Sequence, residues 1–313
     1  MATRKAAKPR KRSPRKAGPK QTPAERVCTR ILELLDGDGP GNWKRAWKAF
    51  PHQWCPVNAE TRRPYRGLNL LAMALAFSEG AYQHNAWLTY RQAEKLGGKV
   101  RKGEHGYPVI FWKRSQYRTE NEAGDEETRS SLLSRTYTVF NVAQCDGLPE
   151  DLLDRLTVPA RAPGKRIPEA HRLIRDSGAK IVKGSPAFLP SKDVIRMPPQ
   201  GAFRDLDAYY ATSFHELGHW TGHESRLDRP QTARFGTEAY AIEELIAELT
   251  SAIVCGSLGV NAELRHAQYV NSWLGTLRSP EGPKFLLSCA SAAQKAADLI
   301  QAPAADLCGE AAE

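Results

Sequence analysis

The chain has 313 residues, 41% of them hydrophobic and 26% charged, with a formal net charge of +10. That apolar content excludes wholesale disorder and suits two domains of ordinary size. No apolar run is long enough to span a bilayer, and no apolar segment follows the basic N-terminus, so neither a membrane protein nor a secretory precursor is expected. The six cysteines (Cys28, Cys55, Cys145, Cys255, Cys289 and Cys308) form no CxxC pair. That usage argues against a disulfide framework and for a reducing cytoplasm.

The charge is concentrated at one end. Residues 1–20 carry nine Lys/Arg and no acid, which leaves about +1 for the rest of the chain. We expect a disordered basic tail over 1–22, either a solubilising arm or a non-specific contact to a polyanion. A helix is predicted from Thr22, with Pro23 in its first turn and Val27, Ile31, Leu34 and Leu35 on its apolar face. Trp43, Trp47 and Trp54 follow in a Gly/Pro-rich stretch. GLNLLAMALAFSEG (67–80) reads as a buried helix, and TYRQAEKLGG (89–98) as a shorter one closed by its glycines. YPVIFWKR (107–114) and RTYTVFNV (135–142) read as strands. The charged segment 114–135 between them reads as an insertion with an acidic tip, ENEAGDEE (120–127).

A Pro/Arg-rich linker is expected within 151–168, and short extended pieces in SPAFLPSKDVIRMPP (185–199). Helical patterns then cover 207–222, 237–258, 262–276 and 286–302. The fold class expected is α+β: a mixed α/β N-terminal domain (23–150), a linker (151–168) and a mainly helical domain (169–305), with a short tail at 306–313.

HELGHWTGH (215–223) places three histidines and a glutamate within nine positions. On a helix, residues four apart share a face, so His215 and His219 can offer two imidazoles to one ion. Glu216 beside them can take a proton from a water at that ion. This is the HExxH logic of zinc hydrolases, with Zn2+ as the expected cofactor. His223 lies roughly 12 Å from His215 along a continuous helix, too far for a shared zinc. It is read as structural, or as a partner of a ligand. The third ligand is sought in AYAIEELIAELTSAI (239–253), whose apolar positions surround Glu244 and Glu248. A carboxylate on a buried face needs compensation, and a cation supplies it. Glu244 is therefore assigned as the ligand and Glu248 as a residue that orients a ligating histidine. Glu243 is expected nearer solvent.

Residues 91–118 carry eight Lys/Arg against Glu94 and Glu104, interleaved with aromatic side chains. Single-strand binders combine a basic groove with stacking platforms. Trp87 or Trp112 is expected to stack on bases; alternation should put one of Phe111 and Trp112 inside. Arg66, Lys99, Arg101, Lys102 and Lys113 are expected near the DNA, mostly as phosphate contacts. No helix-turn-helix or zinc-finger pattern suggests reading of duplex sequence.

HELGHWTGHESRLDR (215–229), followed by FGTEAYAIEELIAEL (235–249), resembles the metallopeptidase-type domain of ArdC antirestriction proteins, a module also found beside TraC-type plasmid primases. PVNAETRRPYRGLNLLAM (56–73), WLTYRQAEKLGGKVRKGEHGYPVIFWK (87–113) and VFNVAQCDGLP (139–149) are similar to the ArdC N-terminal domain. HAQYVNSWLGTL (266–277) and AQKAADLI (293–300) fit the same family. The resemblance covers about residues 23–302. It implies an N-terminal domain that binds single-stranded DNA and a zincin-like domain of gluzincin type. It also implies protection of incoming mobile-element DNA from host restriction, and it agrees with His215, His219 and Glu244 as ligands and Glu216 as base. A peptide bond in a host restriction-system protein is the expected substrate. The alternative is a non-catalytic strand-binding accessory of plasmid replication or conjugation with structural zinc.

Overall fold

Thr22 and Glu25 cap each other's backbone N–H groups at the start of the first helix, α1 (Pro23–Asp36). The computed structural model describes residues 21–36, 56–120, 126–156, 164–230, 238–260 and 275–302. The basic tail, the three tryptophans at 43, 47 and 54, the acidic tip at 121–125, most of the 262–276 helix and the end of the chain lie outside these residues. After α1 come β1 (Val57–Asn58), α2 (Leu68–Gly80), β2 (Ala86–Thr89) and α3 (Tyr90–Lys95), the last started by a Thr89–Gln92 capping box. Then follow β3 (Lys99–Val100), β4 (Tyr107–Glu120), β5 (Glu126–Asn141) and β6 (Cys145–Asp146). The second half holds α4 (Glu150–Leu156), α5 (Pro168–Asp176), β7 (Lys180–Lys183), β8 (Ala187–Leu189) and β9 (Val194–Met197). It ends with α6 (Leu206–Trp220), α7 (Glu238–Leu258) and α8 (Gly282–Gln301). The chain is thus mixed α/β first and mainly helical after, the class its pattern predicted.

The first sheet has the order β1-β2-β5-β4, with β1 parallel to β2 and the other pairs antiparallel. A small sheet joins β3 to β6, and a third has the order β7-β9-β8. Helix α2 is apolar nearly all round, as a fully buried helix must be, and it packs between α1 and α8. One hydrophobic cluster runs without a break from Val27 and Ile31 through Leu71 and Phe214 to Ile300. The last helix therefore stitches the first half to the second. The Gly67 N–H donates to Gln294 Oε1 of α8 at 2.8 Å, and Arg66 pairs with Asp298 on the same helix.

Three expectations change here. The stretch expected as linker begins with the helix α4. The strands expected at 107–114 and 135–142 extend through the charged insertion: β4 and β5 stay in register from Tyr107↔Val139 to Glu120↔Glu126, as one long ribbon. Neither Phe111 nor Trp112 is inside; they are 56% and 42% exposed. β5 pairs with β2 only over Val139–Asn141, so among the described residues no third strand joins the ribbon at Phe111 and Trp112. Alternation decides burial only where one face of a sheet is covered. No helix among the described residues is long and apolar enough to cross a membrane.

Candidate metal centre

Helix α6 begins at Asp205, whose carboxylate accepts the Ala208 N–H, and it buries Tyr210, Phe214 and Leu217. Thr212 and Ser213 return their hydroxyls to carbonyls four residues back, so the buried helix leaves those groups satisfied. Helix α7 lies against it, tied by Ser251 Oγ donating to the Ala211 carbonyl at 2.9 Å. Glycine inside a helix costs about 1 kcal/mol relative to alanine and so calls for a packing reason. At Gly218 a Cβ would stand 3.1 Å from Ala247 Cα and 3.3 Å from its carbonyl oxygen. The absent side chain permits the close crossing that sets the HELGH turn against α7.

That crossing brings His215, His219 and Glu244 together. The two Nε2 atoms are 3.2 Å apart. His215 Nε2 lies 3.6 Å and His219 Nε2 3.5 Å from the Glu244 carboxylate oxygens. Ligands 2.0–2.1 Å from a tetrahedral zinc stand about 3.3–3.4 Å from one another. The donor set, two imidazoles and a carboxylate, and its spacing therefore fit a divalent ion. His215, Glu216, Glu244 and Glu248 are all at most 5% exposed. Glu248 Oε1 is 3.8 Å from His215 Nδ1. So many buried carboxylates beside two imidazoles favour a cation in their midst.

Glu243 does not face solvent. It is 8% exposed and its Oε1 lies 3.3 Å from His219 Nδ1. Arg229 holds both its oxygens, through Nη2 at 2.7 Å and Nε at 3.0 Å. Arg229 also donates to the Gly218 carbonyl and to Thr221 Oγ1, which fixes the guanidinium at the C-terminal end of α6. Burial raises the Glu243 carboxyl, but His219 and Arg229 together hold it below the usual carboxylate range. For His219 burial works against the charged form, yet the Glu243 hydrogen bond and the Glu244 and Glu216 charges lift it to about 9. The same carboxylates that favour a proton on this imidazole also attract a divalent cation, which would take the proton's place. An Nδ1–H pointed at Glu243 turns Nε2 toward His215 and Glu244, where an ion would be held. Sequence reasoning missed both residues: helical phase alone set Glu243 apart from Glu244 and Glu248, and Arg229 arrives from the loop after α6.

The three residues and Glu216 line a cavity of about 210 Å³, walled by Pro186, Phe188 and Pro190 around β8 and by Tyr240 of α7. His223 lies beyond the end of α6, bonded to Ser225 Oγ and edge-on to Phe188, apart from the ligand cluster.

The expected DNA contacts scatter. Trp87 is wholly buried on the inner strand β2; its indole donates to Asn85, and Tyr82 and Tyr107 pack edge-on against it. It cannot stack on a base, and that expectation is corrected. The Arg66 guanidinium is held by Asp298, and Arg101 by Glu104, Asp146 and the Ala143 carbonyl, so neither is a free phosphate contact. Lys99, Lys102, Trp112 and Lys113 are exposed.

Two family models divide the chain. Residues 168–292 match one described as zincin-like metallopeptidase, so the buried His–His–Glu cluster lies in a domain of that class. Residues 21–140 match one described as the N-terminal domain of the anti-restriction factor ArdC. The crystal structure of the antirestriction protein ArdC from plasmid R388, metal-free, superposes with a TM-score of 0.70 at 38% identity, covering 90% of this chain and 98% of that one. Its Mn(II)-bound form gives 0.68 at 36% identity, covering 89% and 96%. An uncharacterized protein, y4eC, of Sinorhizobium fredii is 39% identical over 91% of this chain and 94% of its own length. Two DNA primases TraC of Escherichia coli are 36% and 37% identical, and the chain spans 27% and 20% of their lengths. The chain belongs to the ArdC antirestriction family.

Proposed function

We propose that this chain binds single-stranded DNA through residues 23–150 and hydrolyses a peptide bond of a host restriction-system protein at a site in residues 169–305. Incoming mobile-element DNA is thereby protected from restriction. The observation that carries the reading is the convergence of His215, His219 and Glu244 beside Glu216 in a walled cavity. A divalent ion, zinc by its donor set and manganese in the R388 relative, would polarise the scissile carbonyl and acidify a water there. Glu216 takes the proton of the attacking water and passes it to the leaving amine. Glu243 and Glu248 orient His219 and His215. β8 is the edge of its sheet, and its residues Ala187 and Phe188 line the cavity. An extended peptide adding to that edge is brought alongside Glu216.

The test is Glu216→Gln. Metal content and oligonucleotide affinity should match the wild type, while protection of transferred DNA in restricting cells is lost. Full protection by this variant would remove hydrolysis from the mechanism. A second reading, a strand-binding accessory to priming with structural metal, is favoured only by the similarity to the TraC primases.

A further inference from the structure

Four of the seven exposed large hydrophobic side chains among the described residues sit at the root of the β4–β5 ribbon: Phe111, Trp112, Leu133 and Tyr137. Directly paired residues on antiparallel strands point to the same side. The pairs Val109↔Tyr137, Phe111↔Arg135 and Lys113↔Leu133 therefore build one continuous face. On it Phe111, Lys113, Leu133, Arg135 and Tyr137 are all exposed. The ribbon is clamped below this face, where Asn69 accepts the Ile110 N–H at 2.8 Å and donates to its carbonyl at 2.6 Å. The Phe111 and Tyr137 rings meet edge-to-face with centroids 6.1 Å apart. Lys113 and Arg135 have no acidic partner among the described residues.

We propose that this face is the stacking and phosphate-contact surface for single-stranded DNA, an inference that rests on the strand-binding reading above. Exposed aromatic rings interleaved with basic side chains are what an unpaired strand requires and what a purely apolar partner does not. Each ring holds the other in place, which lowers the entropy lost on stacking. Successive residues on the face are about 6.7 Å apart, roughly twice the 3.4 Å per-strand charge spacing of duplex DNA, so the face fits a stretched strand. Trp112, on the opposite side, is outside this surface.

The experiment is an anisotropy titration of the full chain against a labelled oligo-dT over a range of salt. Phe111→Ala/Tyr137→Ala should weaken binding tenfold or more at fixed salt and leave the salt slope unchanged, since stacking releases no counterions. Lys113→Ala/Arg135→Ala should flatten the slope by about 1.4, two phosphates' worth on a single strand. Phe111→Trp/Tyr137→Trp should retain wild-type affinity, and thermal unfolding of all three should be unchanged. Wild-type affinity and slope in both alanine doubles would overturn the assignment. Failure of the wild type itself to bind oligo-dT would instead remove the strand-binding reading on which it stands.

Discussion

The α6–α7 helix pair and the β4–β5 ribbon depart in opposite directions from the ordinary partition of residues. The helix pair buries carboxylates and imidazoles in an apolar crossing. The ribbon carries phenylalanine, tryptophan and tyrosine into solvent. Each departure needs something to offset it. In the helix pair Arg229 pairs with Glu243, and the His–His–Glu set fits a cation. In the ribbon nothing within the described chain covers the rings, and a ligand from outside is the natural complement. The comparison teaches that a buried charge and an exposed ring are both marks of binding, one for an ion and the other for a polymer.

Substitutions that exchange these environments should have the largest effects. Trp87 and Trp112 are the direct contrast, two indoles of the same sheet in similar sequence surroundings. Trp87→Ala should cost about 3–5 kcal/mol in denaturant unfolding, as large-to-small changes in a packed core do. In the helix pair, Arg229→Met leaves the Glu243 carboxylate buried beside His219 without its guanidinium, at a cost of about 3–5 kcal/mol. Adding Glu243→Gln should recover part of that loss, because the orphaned charge is then gone. Equal stability of single and double variants would show that Arg229 acts by packing alone. At the small end, Trp112→Ala should stay within about 0.5 kcal/mol of wild type. A large loss there would mean that the ribbon is covered in solution.

Much of the helical half was legible because one spacing carries it. His215 and His219 four apart, and Glu244 among alanine, leucine and isoleucine, announce a shared polar focus inside an apolar layer. The shortfall has physical causes. Helical phase points Glu243 outward, but its environment is set by Arg229, which returns from a loop that no periodicity describes. The strands are expected to stop at 114 and resume at 135 because the charged sequence between them shows no alternation of apolar and polar residues, although its backbone pairs in register throughout. The basic, aromatic neighbourhood marks Trp87 as well as Trp112 as a stacking candidate. That β2 lies inside the sheet, between β1 and β5, depends on pairings far apart in the chain. The same holds for α8, whose contacts with α1 and α2 join the two halves into one core.

Titrating metal-stripped protein with Mn(II) or Zn(II) and counting equivalents decides whether His215, His219 and Glu244 share one ion. Wild type should take up one ion per chain, Glu244→Ala and His215→Ala should lose it, and Glu243→Gln should keep the stoichiometry with affinity reduced about 10–100-fold. Wild-type stoichiometry and affinity in Glu244→Ala would show that Glu244 is not a ligand and that the three side chains hold no common ion.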